Sequence, residues 1–330
     1  MNIGIQSDRF SSNPNEINKN VISKISLPET FSLVFLLSLT IIFSYHHHKG
    51  FYLPWDFEES YLLAGSGDYS NFFYGYWIMP IFWLLEKLPL TISFILWAFT
   101  NVMCTFIAGR VFGGKAWWAI LSYQMIYVVF YGQITGLLIG GLALAWWGIS
   151  SKKFLVAGLG LLISSTKPQF GLSLSFILWI MSDSSWKQKL KMLLIPTIGI
   201  IATTLAYPDW INNIFSAINS GKVDLRGNIS LWQYIGPWSL IFLIPPMISK
   251  SSPEKQILFL IVASIISLPY IQQTELLALY VFPFGWLSLI GNLGFLFPFF
   301  SWEIIHLLII VPLVIYSSML LHEIHFQYLQ

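Results

Sequence analysis

Residues 131–170 read YGQITGLLIGGLALAWWGISSKKFLVAGLGLLISSTKPQF. Two apolar segments, 134–150 and 154–166, flank a tight polar turn that carries Lys152 and Lys153. Each is shorter than the roughly 20 residues that cross a bilayer comfortably. The second stops abruptly at Thr166-Lys167-Pro168-Gln169. Short, Gly-rich apolar segments that end in polar residues are how membrane proteins build sites at or below the membrane surface. Lys167 is the anomaly, because another apolar segment follows it almost at once. Its ammonium therefore sits near the bilayer, where a charge costs about 3 kcal/mol or more at the centre. Pro168 has no backbone N–H and biases the residue before it away from helix, so a break is expected at Lys167.

The rest of the chain has the same character. Of its 330 residues 56% are hydrophobic and only 10% charged, against about 25% charged in soluble domains. The expected fold class is an all-α polytopic membrane protein. Residues 1–28 are polar and rich in Asn and Ser, and read as a short flexible cytoplasmic tail; 29–330 read as a single membrane domain. The first apolar segment, about 30–45, is followed by Tyr45-His46-His47-His48-Lys49 rather than a small-residue cleavage pattern, so it reads as a retained helix. Further spans are expected at about 91–109, 117–132, 134–150, 154–166, 169–182, 190–207, 237–249, 257–271, 274–291 and 302–321, about eleven in all. Two long polar loops remain, about 46–89 and 208–235. Within the first, residues 76–89 are interrupted by Pro80, Glu86 and Lys87 and suit an interfacial helix better than a span.

Positive charge orients the chain. With the N-terminus in the cytoplasm and 76–89 outside, 12 of the 17 basic residues fall inside, among them Arg110, Lys115, Lys152, Lys153, Lys250 and Lys255. Making 76–89 a span would place most of them outside, against the positive-inside rule. The preferred topology, in a plasma membrane, gathers both polar loops and Lys167 on one external face.

That face holds Asp56, Glu58, Glu59, Lys167, Gln169, Arg226 and the Gln272-Gln273-Thr274-Glu275 turn. Carboxylates facing a cation beside a membrane suit a reaction on a lipid-linked phosphate. One carboxylate takes the proton of an attacking hydroxyl, and a cation with amide donors holds the leaving phosphate. Plainer readings stand beside these: Asp56 as a helix cap, Lys167 as a snorkelling interfacial lysine, Gln133 and Gln169 as links between helices, Arg226 as a solvated loop charge. The three adjacent histidines lack metal-ligand spacing, and there is neither a Walker loop nor a dinucleotide fingerprint. No metal, cofactor or nucleic-acid partner is expected. The single cysteine, Cys104, rules out an intramolecular disulfide.

The order DFEESY (56–61), YGYWIMP (74–80), YGQ (131–133) and AGLGLLISSTKPQ (157–169) resembles glycosyltransferase family 87. The AGL…TKPQ block after GQ is the most specific part. The resemblance implies a GT-C-like bundle that transfers a hexosyl residue, most specifically mannosyl, from a polyprenyl monophosphate sugar to a glycolipid or glycan acceptor among the membrane lipids, with inversion. It implies Asp56 as catalytic base and matches Lys167 and Gln133 to family positions; with Gln169 and Arg226 of the external face, these two are the candidates for the donor phosphate. Glu59, Tyr61, Asn228, Ser230, Gln233, Gln272 and Gln273 are the candidates for sugar or acceptor. Family members often carry a histidine in a late external loop where this chain has Gln272 and Gln273. The rival reading is a transporter or flippase of lipid-linked sugars, for which inverted repeats and deep polar residues are expected; neither is evident.

Overall fold

A computed structural model describes residues 10–49, 54–219, 227–299 and 302–328. The described chain is helical, with one isolated antiparallel β-bridge between Asn228 and Gln272. Among the described residues, four helices are long and apolar enough to cross a membrane: Leu27–His47, Leu90–Phe112, Trp186–Ala206 and Ile305–Ile324. A fifth candidate is the pair Tyr123–Tyr131 and Thr135–Ser150, which bends by 116° at its break. The other spans expected from hydropathy are shorter or interrupted helices. Pro237, Pro245 and Pro246 divide 236–248 into a 3₁₀ stretch and one helical turn, and Pro283 and Gly285 divide 278–299 likewise. A proline removes a helical hydrogen bond and clashes with the preceding turn, so an apolar run containing it loses its continuous helix.

The hairpin at 135–164 forms as two closely packed helices, Thr135–Ser150 and Phe154–Ser164. Gly141 and Gly160 let the backbones touch: a Cβ on Gly160 lies 2.3 Å from the Ala145 nitrogen, and one on Gly141 lies 2.7 Å from the Ser164 nitrogen. Small residues allow this approach where lipid supplies no hydrophobic drive between helices. The helix Pro253–Ser267 is buried at every position from Ile257 to Ser267, as expected of a segment apolar all round.

Residues 10–28 do not form the flexible tail expected of them. Pro14–Ile22 is a helix whose Asn13 side chain caps Asn15 N–H, and Phe10 and Ile17 are buried. Phe10 stacks on Trp146, Trp147 donates to Asn18 Oδ1, and Ser12 donates to Glu254. Arg110 holds the segment by donating to the carbonyls of Val21, Ser23 and Lys24 and by pairing with Glu29 at 2.8 Å. A guanidinium has five donors in a fixed fork, which is why one residue ties down so much backbone.

Arg110 closes one end of the Leu90–Phe112 helix. Near the other end Trp97 donates to the Gly132 carbonyl at 2.7 Å. Thirteen residues of helix separate the two, about 20 Å. The N-terminal strap and the candidate site thus occupy opposite ends of this bundle. Residues 79–86 form a helix too short to span, with Trp83 and Leu84 exposed.

Candidate active site

Two breaks in the apolar segments, at Gly132 and at Lys167-Pro168, meet at the site, and each has a local cause. Gly132 ends the Tyr123–Tyr131 helix in the left-handed region, φ 69°. Its N–H and that of Gln133 return to the Val129 and Val128 carbonyls at 3.2 and 2.8 Å, the hydrogen-bond pattern of a Schellman cap. Phe57 sits against this turn: a Cβ on Gly132 lies 2.5 Å from the Phe57 Cβ, and Phe57 stacks on Trp97. That wedge brings the neighbouring Asp56 to Gln133, whose Nε2 donates to Asp56 Oδ2 at 2.6 Å. Asp56 is itself helical and makes no cap, so the capping alternative does not describe it.

Lys167 is extended, φ −103° and ψ 90°, as Pro168 requires. Gly75 N–H donates to the Thr166 carbonyl at 2.7 Å, and the Trp77 indole donates to the Leu162 carbonyl at 2.8 Å. The aromatic run after the first loop is thereby stitched to the break. Asp56 and Lys167 each directly precede a short π-helical stretch, Phe57–Leu62 and Pro168–Leu172. Such stretches recur at functional sites, and nothing in the sequence marked these two.

The Lys167 ammonium does not face solvent. It forms an ion pair with Glu275 and donates to Gln272 Oε1 at 3.0 Å. Glu275, which the sequence reading places on the external face as part of its turn but without a role, is only 1% exposed, like Lys167. Its turn is positioned by Asn228. The Asn228 amide donates to the Pro269 carbonyl at 3.0 Å, and its Oδ1 accepts from Ser230 and Ile271 N–H at 3.0 Å each. Ser230 Oγ donates to the Leu268 carbonyl. Asn228 and Ser230 therefore serve as a clasp on the 268–272 segment.

The remaining candidates are spread around this centre. Tyr61 is fully buried and stacked on Phe82 at 4.7 Å. Gln273 is buried, with Tyr123 as a hydrogen-bonding neighbour. Gln233 is exposed and meets His306 Nδ1 at 3.2 Å; the same nitrogen lies 2.9 Å from the Asn228 carbonyl. Sequence reading missed His306. Gln169 is half-buried on the π-helical stretch. The Glu59 side chain is half-buried, and its carbonyl accepts from Asn71. Glu58 pairs with His47 at 2.7 Å. Arg226 lies outside the described residues.

The electrostatics follow from the geometry. Asp56 keeps partial exposure as a residue while its carboxyl is surrounded by protein. The carboxyl is raised to about 6: burial pushes it up most and Glu275 adds to this, while Lys167 and then the Gln133 hydrogen bond pull it down. Near pH 7 it is a largely ionised carboxylate that is more basic than an ordinary one. A general base works best when its pKa is close to the operating pH.

Apolar helices long enough to cross a membrane, around a buried carboxylate, amide and lysine, are the setting of an integral membrane protein. The profile of glycosyltransferase family 87 matches residues 72–283, more than half of the chain, and the chain belongs to that family. The match takes in Gln133, Lys167, Asn228, Gln272 and Glu275 and begins after Asp56, which joins the site through its bond to Gln133. No curated protein and no solved structure matches the chain.

Proposed function

We propose that this glycosyltransferase moves a hexosyl residue, specifically mannosyl, from a polyprenyl monophosphate sugar to a hydroxyl of a glycolipid or glycan at the external face of the membrane. The observation that carries the reading is the buried constellation in which Asp56 accepts from Gln133 and shares its surroundings with Lys167. Membership of the family supports sugar transfer and gives no support to the transporter alternative.

The residues divide the chemistry as follows. The donor's polyprenyl tail lies among the helices, and its phosphodiester approaches the Lys167 ammonium. Asp56 takes the proton of the acceptor hydroxyl as that oxygen bonds to the anomeric carbon. The bond from this carbon to the phosphate oxygen breaks, and its electron pair leaves on polyprenyl phosphate. Attack opposite the leaving group inverts the configuration, so a β-linked donor gives an α-linked product. The leaving group departs as an anion, so no second carboxylic acid is needed, unlike glycoside hydrolysis. Gln133 fixes the Asp56 carboxylate and leaves its other oxygen for the acceptor.

The test compares Asp56→Asn with Glu58→Gln and Glu59→Gln on equal amounts of folded protein, with donor binding measured separately. Asp56→Asn keeps size and removes the basic oxygen, so turnover falls by roughly 10²-fold or more while donor still binds. The two glutamate variants stay within a few-fold of the parent, because Glu58 faces His47 instead. Parental turnover in Asp56→Asn contradicts the proposed base.

A further inference from the structure

Lys167 is engaged before any donor arrives. Glu275 Oε1 holds its ammonium, and Gln272 Oε1 accepts from it at 3.0 Å. The carboxylate comes on a braced turn. Glu275 Oε2 accepts from the Gln272 backbone N–H at 2.6 Å, closing a capping box on the 3₁₀ helix Gln273–Leu277. The Gln272 amide donates to the Tyr270 hydroxyl at 2.7 Å. One Glu275 oxygen thus belongs to its own turn, and the other is given to a lysine on a different segment. Asp56 feels Lys167 and Glu275 with opposite sign, so this ion pair lies within electrostatic reach of the Asp56 carboxyl.

This arrangement bears on a difficulty in the reaction proposed above. The donor is a phosphodiester with a single negative charge. The lipid product is a phosphate monoester, which carries about −1.5 to −2 near pH 7 because its second pKa is about 6. A desolvated lysine alone therefore holds product more tightly than substrate. Taking the donor class as read, we propose that Glu275 is a displaceable counter-ion of Lys167: the incoming phosphodiester draws the ammonium away from it, and Glu275 reclaims the ammonium as polyprenyl phosphate leaves. Glu275 touches no reacting atom in this scheme and is a positioning residue. The competition is stronger than between surface charges, because Lys167 and Glu275 are both sealed from water and their attraction is little screened.

The experiment is product inhibition by polyprenyl phosphate, measured beside the donor KM, for the parent, Glu275→Gln and Glu275→Asp, and for the glutamine substitution in a Lys167→Met background. Removing the competing charge tightens product binding: Ki falls about fivefold or more in Glu275→Gln, the range of an ordinary coupling between two sites, and donor KM falls by less. Glu275→Asp keeps the charge with a shorter reach and lies between the two. It also carries the test should the glutamine variant fail to fold. In the Lys167→Met background the glutamine substitution leaves Ki where it was. A Ki that is unchanged or weaker in both Glu275 variants overturns the counter-ion role and leaves the donor reading standing. A parent enzyme that polyprenyl phosphate does not inhibit overturns both.

Discussion

At the residue scale the activity turns on the protonation of one carboxyl. Asp56 accepts a proton only when ionised, and its carboxyl titrates near 6. The account therefore predicts that kcat/KM rises with pH through about 6 and levels off above it. Lys167 and Gln133 both hold the carboxyl down, Lys167 more strongly. Lys167→Met moves the rising limb to higher pH, and Gln133→Leu moves it the same way by less. A pH–rate profile of each variant checks this, and a limb that stays in place in both contradicts the role of Asp56. Lys167 stood out in the sequence because a charge at the edge of an apolar run has a visible cost; Asp56, in a polar loop, and Gln133 were named through the family resemblance, and the fold brings those two together. Glu275 was given no role. It sits in a plain polar turn, and its partner is Lys167, over a hundred residues away. Which breaks meet in space is a matter of tertiary packing that no local pattern carries.

At the scale of elements, the site depends on how helices end. Gly132 is the sharpest case: its φ of 69° disfavours any side chain, and a Cβ there meets Phe57 at 2.5 Å. Gly132→Ala should cost about 1–3 kcal/mol of stability and push Phe57, and with it Asp56, away from Gln133. Thermal unfolding in detergent and turnover of the folded fraction read the two effects; an alanine variant with unchanged stability and turnover contradicts the wedge. The Gly-rich hairpin and the break before Pro168 were readable because Gly and Pro act locally on the backbone. The C-terminal third was read less well. Hydropathy alone extended spans through Pro245, Pro246 and Pro283, where the chain forms short 3₁₀ and α pieces, and through Pro269, which lies beyond the end of the Pro253–Ser267 helix. The N-terminal segment was misread for another reason. Its composition is polar, and what orders it is Arg110, Trp146 and Trp147 on distant helices.

For the whole molecule, the two ends of the bundle differ in kind. One end carries Arg110 and the strap it holds, with Lys153 over Trp147; the other gathers the buried polar groups. The proposed topology places the first end in the cytoplasm. In a Cys104→Ala background, Asp68→Cys should react with an impermeant thiol reagent from outside and Lys152→Cys should not; labelling of the second alone reverses the orientation. The membrane class was legible from composition, since no soluble core needs so few charges, and the family was legible from motifs lying at the breaks. The sugar and the acceptor were not, because pockets are assembled from side chains scattered along the chain. The central claim is transfer from a lipid-linked monophosphate sugar. Its most direct test is to supply the purified, reconstituted enzyme with polyprenyl monophosphate sugars or with nucleotide sugars, alongside candidate lipid acceptors, and to follow the products by mass spectrometry. The account predicts an α-linked hexosyl product and released polyprenyl phosphate from the lipid-linked donor alone; transfer from the nucleotide sugar, with none from any polyprenyl phosphate sugar, would contradict it.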